Sequence, residues 1–411
     1  MPSAARRGRA AGPGPGGVLE LLLDGEPRTR AEIAALTGLS RSTVSARVDA
    51  LLRAGVLAPA GSAASSGGRP PARVAFNAVA RVVVGVDLGA THGTVAVCDL
   101  AGGMLAAATV DLDIADGPDP VLDLVLDTAR GLLDGVGRPV ADVAAVGLGL
   151  PGPVEHATGR PVNPPIMPGW DRVDVPALVA ARLATDVPVL VDNDVNVLAL
   201  GEHATSWPDA DDLVYVKVAT GIGAGIVAGG VLQRGARGSA GDLGHVVVPW
   251  HPGSPRPATE VRDLEDVASG PAIAARLREA GLEARTGADV AALARAGERT
   301  ALELVRDAGR EIGAVVAGVV NLLGPSVVVI GGSVSRAGEE LLAGVREVVY
   351  RRSLPLATEH LQIVAARSDA NAGALGAAIM AARHALAPET IESWIDPEAD
   401  RAAGTESEGA P

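Results

Sequence analysis

The chain has very few aromatic residues: one Phe, two Tyr and four Trp in 411 positions, 2% of the total. Its cores must therefore be packed from Val, Leu, Ala and Ile, and a hydrophobic content of 48% supplies enough of them. A single cysteine, Cys98, excludes an internal disulfide and any site built from several thiolates. No stretch reads as a membrane span, because the longest apolar run, Ile312 to Ile330, is broken by Asn321, Gly324 and Pro325. That run predicts a buried helix followed by a buried strand. The opening MPSAARRGRAAGPGPGG is basic but lacks the apolar centre of a secretory signal, so a cytoplasmic protein is expected. No repeat of solenoid type is present either.

A chain of 411 residues is too long for one core and fits two or three domains. The net charge of −14 is unevenly spread. Residues 1–80 hold ten Arg against five Asp or Glu, a balance of +5 that leaves −19 for the remainder. A basic front on an acidic body assigns any nucleic-acid contact to the front.

The most informative stretch is Val218 to His245, where apolar strand residues are interrupted by Gly221, Gly223, Gly225, Gly229 and Gly230. The pattern predicts a β-hairpin with a bare backbone, whose successive N–H groups are free to converge on one anion, a phosphate. Turns and close packing in a chain with 52 glycines are the plainer account of the same residues. Asp242 and His245 end the stretch, a carboxylate and an imidazole spaced to grip neighbouring hydroxyls. With Gly235 and Gly244, this segment resembles the signature of the ROK family, named for repressors, open reading frames and sugar kinases. The resemblance implies an α/β fold: an actin-like, two-lobed sugar-kinase-like domain of the ribonuclease H-like kind.

Further segments extend the resemblance over nearly the whole chain. Asp87, Gly89 and Thr91 match the DxGxT phosphate loop, in which the aspartate helps to hold the magnesium environment; His92 stands where the family's kinases carry lysine. Asn163, Gly169 and Trp170 resemble an Asn-x(5)-Gly-Trp segment beside the sugar cleft. Asn193 to Glu202 follows the pattern NDxNxxALGE, which implies that Asp194 is the general base in a kinase and a hydroxyl acceptor in a sensor. The resemblance thus implies sugar contacts from Asn163, Asn193, Asp194, Asp242, His245 and Glu265. It places nucleotide or phosphate, where retained, at Asp87, Gly89, Thr91, Thr220, Gly221, Gly223, Gly331 and Gly332. The family's zinc loop has no cysteines here, so structural zinc is not expected. His251 alone is no replacement.

The front of the chain reads from its residues as a helix-turn-helix. Residues 1–16, rich in Gly, Pro and Arg, predict a disordered arm. Thr29 and Glu32 form a capping box, Ile33, Leu36 and Leu39 an inner face, Gly38 the turn, and Ser40 the next cap. Val44, Val48, Leu51 and Leu52 bury the second helix, which leaves Ser40, Arg41, Ser42, Thr43, Ser45 and Arg47 for a major groove. Val56 to Asn77 predicts a two-stranded wing, and its GGRP resembles winged domains fused to ROK regulators, with Arg69 reaching a minor groove.

The expected layout is therefore a winged helix-turn-helix domain over 17–79 and a kinase-like domain over 82–386. Lobe I takes about 82–197 with 371–386, lobe II about 198–370, and a disordered acidic tail follows from 387. Two functions compete: a sugar-controlled repressor binding operator DNA as a homodimer or higher homo-oligomer, and a sugar kinase that carries a DNA-binding arm. Only the second requires ATP and Mg2+.

Overall fold

The computed structural model describes residues 14–62, 71–248, 261–367 and 370–395. The first helix, α1 (Pro15–Glu20), begins earlier than the arm expected over 1–16 allows. Proline is accommodated in a first helical turn, where its missing N–H has no partner to lose, and Val18 and Leu19 are fully buried. Strand β1 (Arg28–Thr29) leads into α2 (Arg30–Thr37), and Thr29 and Glu32 make the capping box reciprocally. Gly38 ends α2 with φ of 70°, a left-handed turn that a side chain would strain. Ser40 then caps α3 (Arg41–Arg53), its hydroxyl accepting from the Thr43 N–H at 3.1 Å.

Strands β2 (Leu57–Ser62) and β3 (Ala72–Phe76) form the wing, and β1 adds to β3 to give the sheet order β1-β3-β2. The wing tip and Arg69 lie outside the described residues. One face of α2 departs from expectation: Ile33 is fully buried, but Leu36 is 60% exposed. A short helix presents one narrow stripe to its neighbour, and here Ile33 occupies it.

Lobe I starts with an antiparallel meander, β4 (Val82–Leu88), β5 (His92–Asp99) and β6 (Met104–Asp111). Helix α4 (Pro118–Gly135) returns the chain to β7 (Val143–Leu150), which runs parallel to β4. The ribbon β8 (Val154–Glu155) and β9 (Arg160–Pro161), then α5 (Val175–Leu183), lead to β10 (Val189–Asn193) beside β7. The sheet order is β10-β7-β4-β5-β6.

Helix α6 (Asp194–Ser206) crosses to lobe II, where the pattern repeats. Strands β11 (Leu213–Val218), β12 (Ile222–Ala228) and β13 (Val231–Gln233) form the meander. Helices α7 (Leu264–Ala268), α8 (Gly270–Glu279), α9 (Gly287–Arg295) and α10 (Arg299–Leu323) cover one face. Strand β14 (Val327–Gly331) runs parallel to β11, and α11 (Glu339–Arg352) and α12 (Pro355–Thr358) precede β15 (Gln362–Ala365). The order β13-β12-β11-β14-β15 has the same connectivity as lobe I.

Helix α13 (Ala372–Ala385) packs with α6 between the two sheets. The seam is made of small residues: a Cβ at Gly376 would collide with the Val197 carbonyl, and one at Gly201 with the Ala372 carbonyl. The tail expected to be disordered from 387 is instead helical over α14 (Pro388–Ile395). Apolar burial explains it, since Ile391 is fully buried in the cluster that holds Val18, Leu51 and Val56. Arg81 adds a cation–π contact, its guanidinium 4.4 Å from the Trp394 ring centre.

Candidate ligand cleft and DNA-reading helix

Strand ends and helix starts deliver the polar residues of the cleft. Strand β10 ends at Asn193, whose side chain caps α6 by accepting from the Val195 N–H at 2.9 Å and donates to the Gly152 carbonyl at 3.0 Å. Asp194, the first residue of α6, is buried and faces a cavity of about 340 Å³ between the lobes. That volume lies in the range of small-molecule sites. Thr220, Gly221 and Gly223 line it from the β11–β12 hairpin, and Asp242, His245 and Glu265 line it from the segments that follow.

Glu265 accepts a hydrogen bond from the Ile222 N–H at 3.0 Å, which fixes its carboxylate over the glycine turn. Asp242 Oδ1 and His245 Nδ1 lie 2.9 Å apart on an exposed rim. This hydrogen bond, reinforced by the charge of Asp242, raises the imidazole pKa above its usual value. Asn193, Asp194, Thr220, Gly221, Gly223, Asp242, His245 and Glu265 thus share one cavity. Carboxylates, an amide and an imidazole around an apolar floor suit a polyhydroxylated ligand, which offers both donors and acceptors.

Other expected residues lie elsewhere. Asn163 is exposed, with φ of 45° and its N–H donated to Asp171 at 2.7 Å, and it does not line the cavity. Trp170 is fully buried, its indole N–H donating to the Ile114 carbonyl at 3.1 Å, so it belongs to the core of lobe I. The alternating glycines serve packing more than anion capture: Gly225 lies against Ala199 and Gly223 against Val195, both on α6. Thr91 is exposed, and Asp87, Gly89, Gly331 and Gly332 lie outside the cavity lining. A Cβ at Gly332 would collide with the Val218 carbonyl.

Burial, aided by the charge of Asp194 and opposed by that of Lys217, raises the Asp87 carboxyl to about 7. Its Oδ1 is buried with no hydrogen-bond partner among the described residues.

Two residues escaped the sequence motifs. Asp192 is a buried anchor that accepts from the Asn196 amide at 2.7 Å and from Arg234 Nε at 2.6 Å. Lys217, on β11, pairs with Asp194 through its ammonium. It is the only lysine in the chain, a signal that counting lysines alone would have found. Burial lowers its pKa, but the charges of Asp194 and Asp87 outweigh that and leave it raised.

On the reading head, Ser40, Arg41 and Ser42 are exposed at the start of α3, while Thr43, Ser45 and Arg47 are half-buried. Part of the hydroxyl capacity is turned inward, because Ser40 Oγ lies 2.9 Å from Ser42 Oγ and 2.8 Å from Thr43 Oγ1. Arg30 ties α2 to α3 through Asp49 at 2.6 Å.

Comparison with known proteins agrees with both halves. A family model described as ROK family matches residues 83–384, and one described as winged helix-turn-helix DNA-binding matches residues 17–58. The chain is 28% identical over 377 residues to a xylose repressor of Caldicellulosiruptor bescii, covering 88% of this chain and 94% of that protein. It is 34% identical over 318 residues to a glucokinase of Thermotoga maritima, covering 72% of this chain and 96% of the other. A crystal structure of a ROK family transcriptional regulator, a homolog of the E. coli MLC protein, superposes with a TM-score of 0.75. Its sequence is 25% identical, and the match covers 93% of this chain and 98% of that one. Two lobes of one connectivity, a polar cleft between them and a winged head in front are therefore the parts of a single known architecture, and the chain belongs to the ROK family.

Proposed function

We propose that the protein is a sequence-specific transcriptional repressor, controlled by a sugar or sugar derivative bound in the interlobe cleft. The observation that carries this reading is the presence of both devices on one chain. A cavity walled by Asp194, Asp242, His245 and Glu265 stands behind a helix that presents Arg41 and Ser42 to solvent. The extent of the match to a xylose repressor, head and body together, supports it.

In this reading the protein works in the cytoplasm as a homodimer or higher homo-oligomer and needs neither cofactor nor structural zinc. Two protomers place their α3 helices in successive major grooves about 34 Å apart. Sugar binding changes lobe closure and hence the presentation of the heads. A coupling of about 1–3 kcal/mol shifts operator affinity roughly 5- to 150-fold.

The test is a titration of operator DNA with and without each member of a sugar panel, on wild type and on Arg41→Ala. We expect one sugar to shift wild-type affinity, and Arg41→Ala to weaken DNA binding while sugar affinity is kept. No shift across the panel would defeat the sensing role. The likeness to a glucokinase and the retained Asp194 favour a second reading, an ATP-dependent sugar kinase of glucokinase or N-acetylhexosamine kinase type. Coupled ATP turnover that disappears in Asp194→Asn would establish it.

A further inference from the structure

The metal and nucleotide of the family's kinases do not fit this cleft. A phosphate loop works by leaving backbone open at its glycine, yet Gly89 faces the ring of His92. A Cβ built at Gly89 would lie 2.7 Å from His92 Cε1, so the imidazole, an exposed side chain, rests against the loop glycine. On the opposite lobe, the bare Cα of Gly331 is covered by the Tyr215 hydroxyl in the same way. Both loops keep their glycines and fill the space with their neighbours' side chains.

Of the two carboxylates beside these loops, that of Asp194 is engaged as well. A Cβ at Gly149 would lie 3.1 Å from Asp87 Oδ1 and 3.4 Å from the Asp194 Cα, so the two aspartates flank one glycine. Lys217 reaches them from lobe II, paired with Asp194 and attracted by Asp87. Its ammonium is a compact point charge on a flexible stem with three donors. Mg2+ demands octahedral oxygen ligands at about 2.0–2.1 Å, and it cannot take the Asp194 oxygen that the ammonium already holds without meeting a like charge. The charge missing at position 92 is thus supplied from the other lobe, by the only lysine the chain possesses.

We infer that Lys217 is a tethered replacement for the divalent cation, a fixed ammonium beside Asp87 and Asp194 that closes the cleft to metal and nucleotide and leaves it a receptor for an uncharged sugar. The sugar half of this inference rests on the function proposed above, and the exclusion of metal stands without it. Two roles follow for Lys217. It balances a pair of carboxylates that would otherwise repel each other, and it occupies the hydroxyl acceptor Asp194 until a sugar hydroxyl competes for it.

The experiment uses the full chain, with Mn2+ alone and Mn2+ with a non-hydrolysable ATP analogue as probes, followed by electron paramagnetic resonance and calorimetry. Wild type is expected to take up neither. Lys217→Met, with two carboxylates left unbalanced, is expected to bind Mn2+ at least about tenfold more tightly than wild type, and adding Asp194→Asn to abolish that gain. Cooperative melting and retained operator binding report that the variants are folded. Wild type that binds the Mn2+–nucleotide pair saturably overturns the inference, whether or not Lys217→Met folds. A folded Lys217→Met that gains no Mn2+ overturns it too. Failure of the sugar reading looks different: no sugar alters operator binding, while the Mn2+ results stand.

Discussion

Asp242 and His245, three residues apart in sequence, meet each other at 2.9 Å before they meet any ligand. The hydrogen bond to Asp242 is the main reason the imidazole pKa is raised above 6.5, with Glu265 and Asp263 adding to it. A raised folded-state value means that the native state holds the proton more tightly than the unfolded chain does. The stability this contributes is complete below about pH 6.5 and is lost as pH rises through the folded value. The melting-temperature difference between wild type and His245→Gln is therefore expected to be largest in mild acid and to fade toward alkaline pH. A difference that ignores pH would show that the pair is not formed in solution. This contact was half legible: the spacing of the two residues pointed to joint action, but that they would satisfy each other depends on the turn after Gly241. Lys217 was less legible still, because no motif contains it and its meaning comes from Asp194, which lies 23 positions away and across the cleft.

Elements whose pattern is local were readable, and those fixed by a distant partner were not. The capping box at Thr29 and Glu32, the turn at Gly38 and the strand over 143–150 follow from neighbours in sequence, and the structure has them where expected. In sequence the alternating glycines of β12 fit an anion cradle and close packing alike, because glycine leaves the same gap for a phosphate as for a helix. Only the position of Val195 and Ala199 on α6 decides between the two. Helix α14 was missed for a related reason: an acidic segment with proline and glycine around it has little helical signal of its own, and its stability comes from packing on α1 and α3. Truncating Ile391 to Ala removes a fully buried side chain from that cluster. A loss of about 2–5 kcal/mol from the stability of the head is expected, checked by denaturant unfolding. Unchanged stability would mean that α14 is not seated there in solution.

At the scale of the molecule, one chain of contacts joins the cleft to the reading head. Asp194 faces the cavity from the first turn of α6; α6 packs on α13 through Gly201 and Gly376; α13 is followed by α14, which lies against α1 and α3. The small-residue seam matters because backbones in direct contact have no flexible side chains to absorb a displacement. A shift at the start of α6 is then passed to α13. Trp394 sits where this path reaches the head, packed beside Phe76 and Leu386 and under the Arg81 guanidinium. If the path carries the response, Trp394→Ala should leave the cleft intact and weaken its hold on the head. Sugar affinity, read by calorimetry, is expected to stay at the wild-type value, while the sugar-dependent ratio of operator affinities falls toward one. Equal ratios in wild type and variant would place the coupling outside α14. A parallel loss of sugar affinity would instead show that α14 supports the cleft itself, since an energetic coupling between two sites is distinct from the stability of either one.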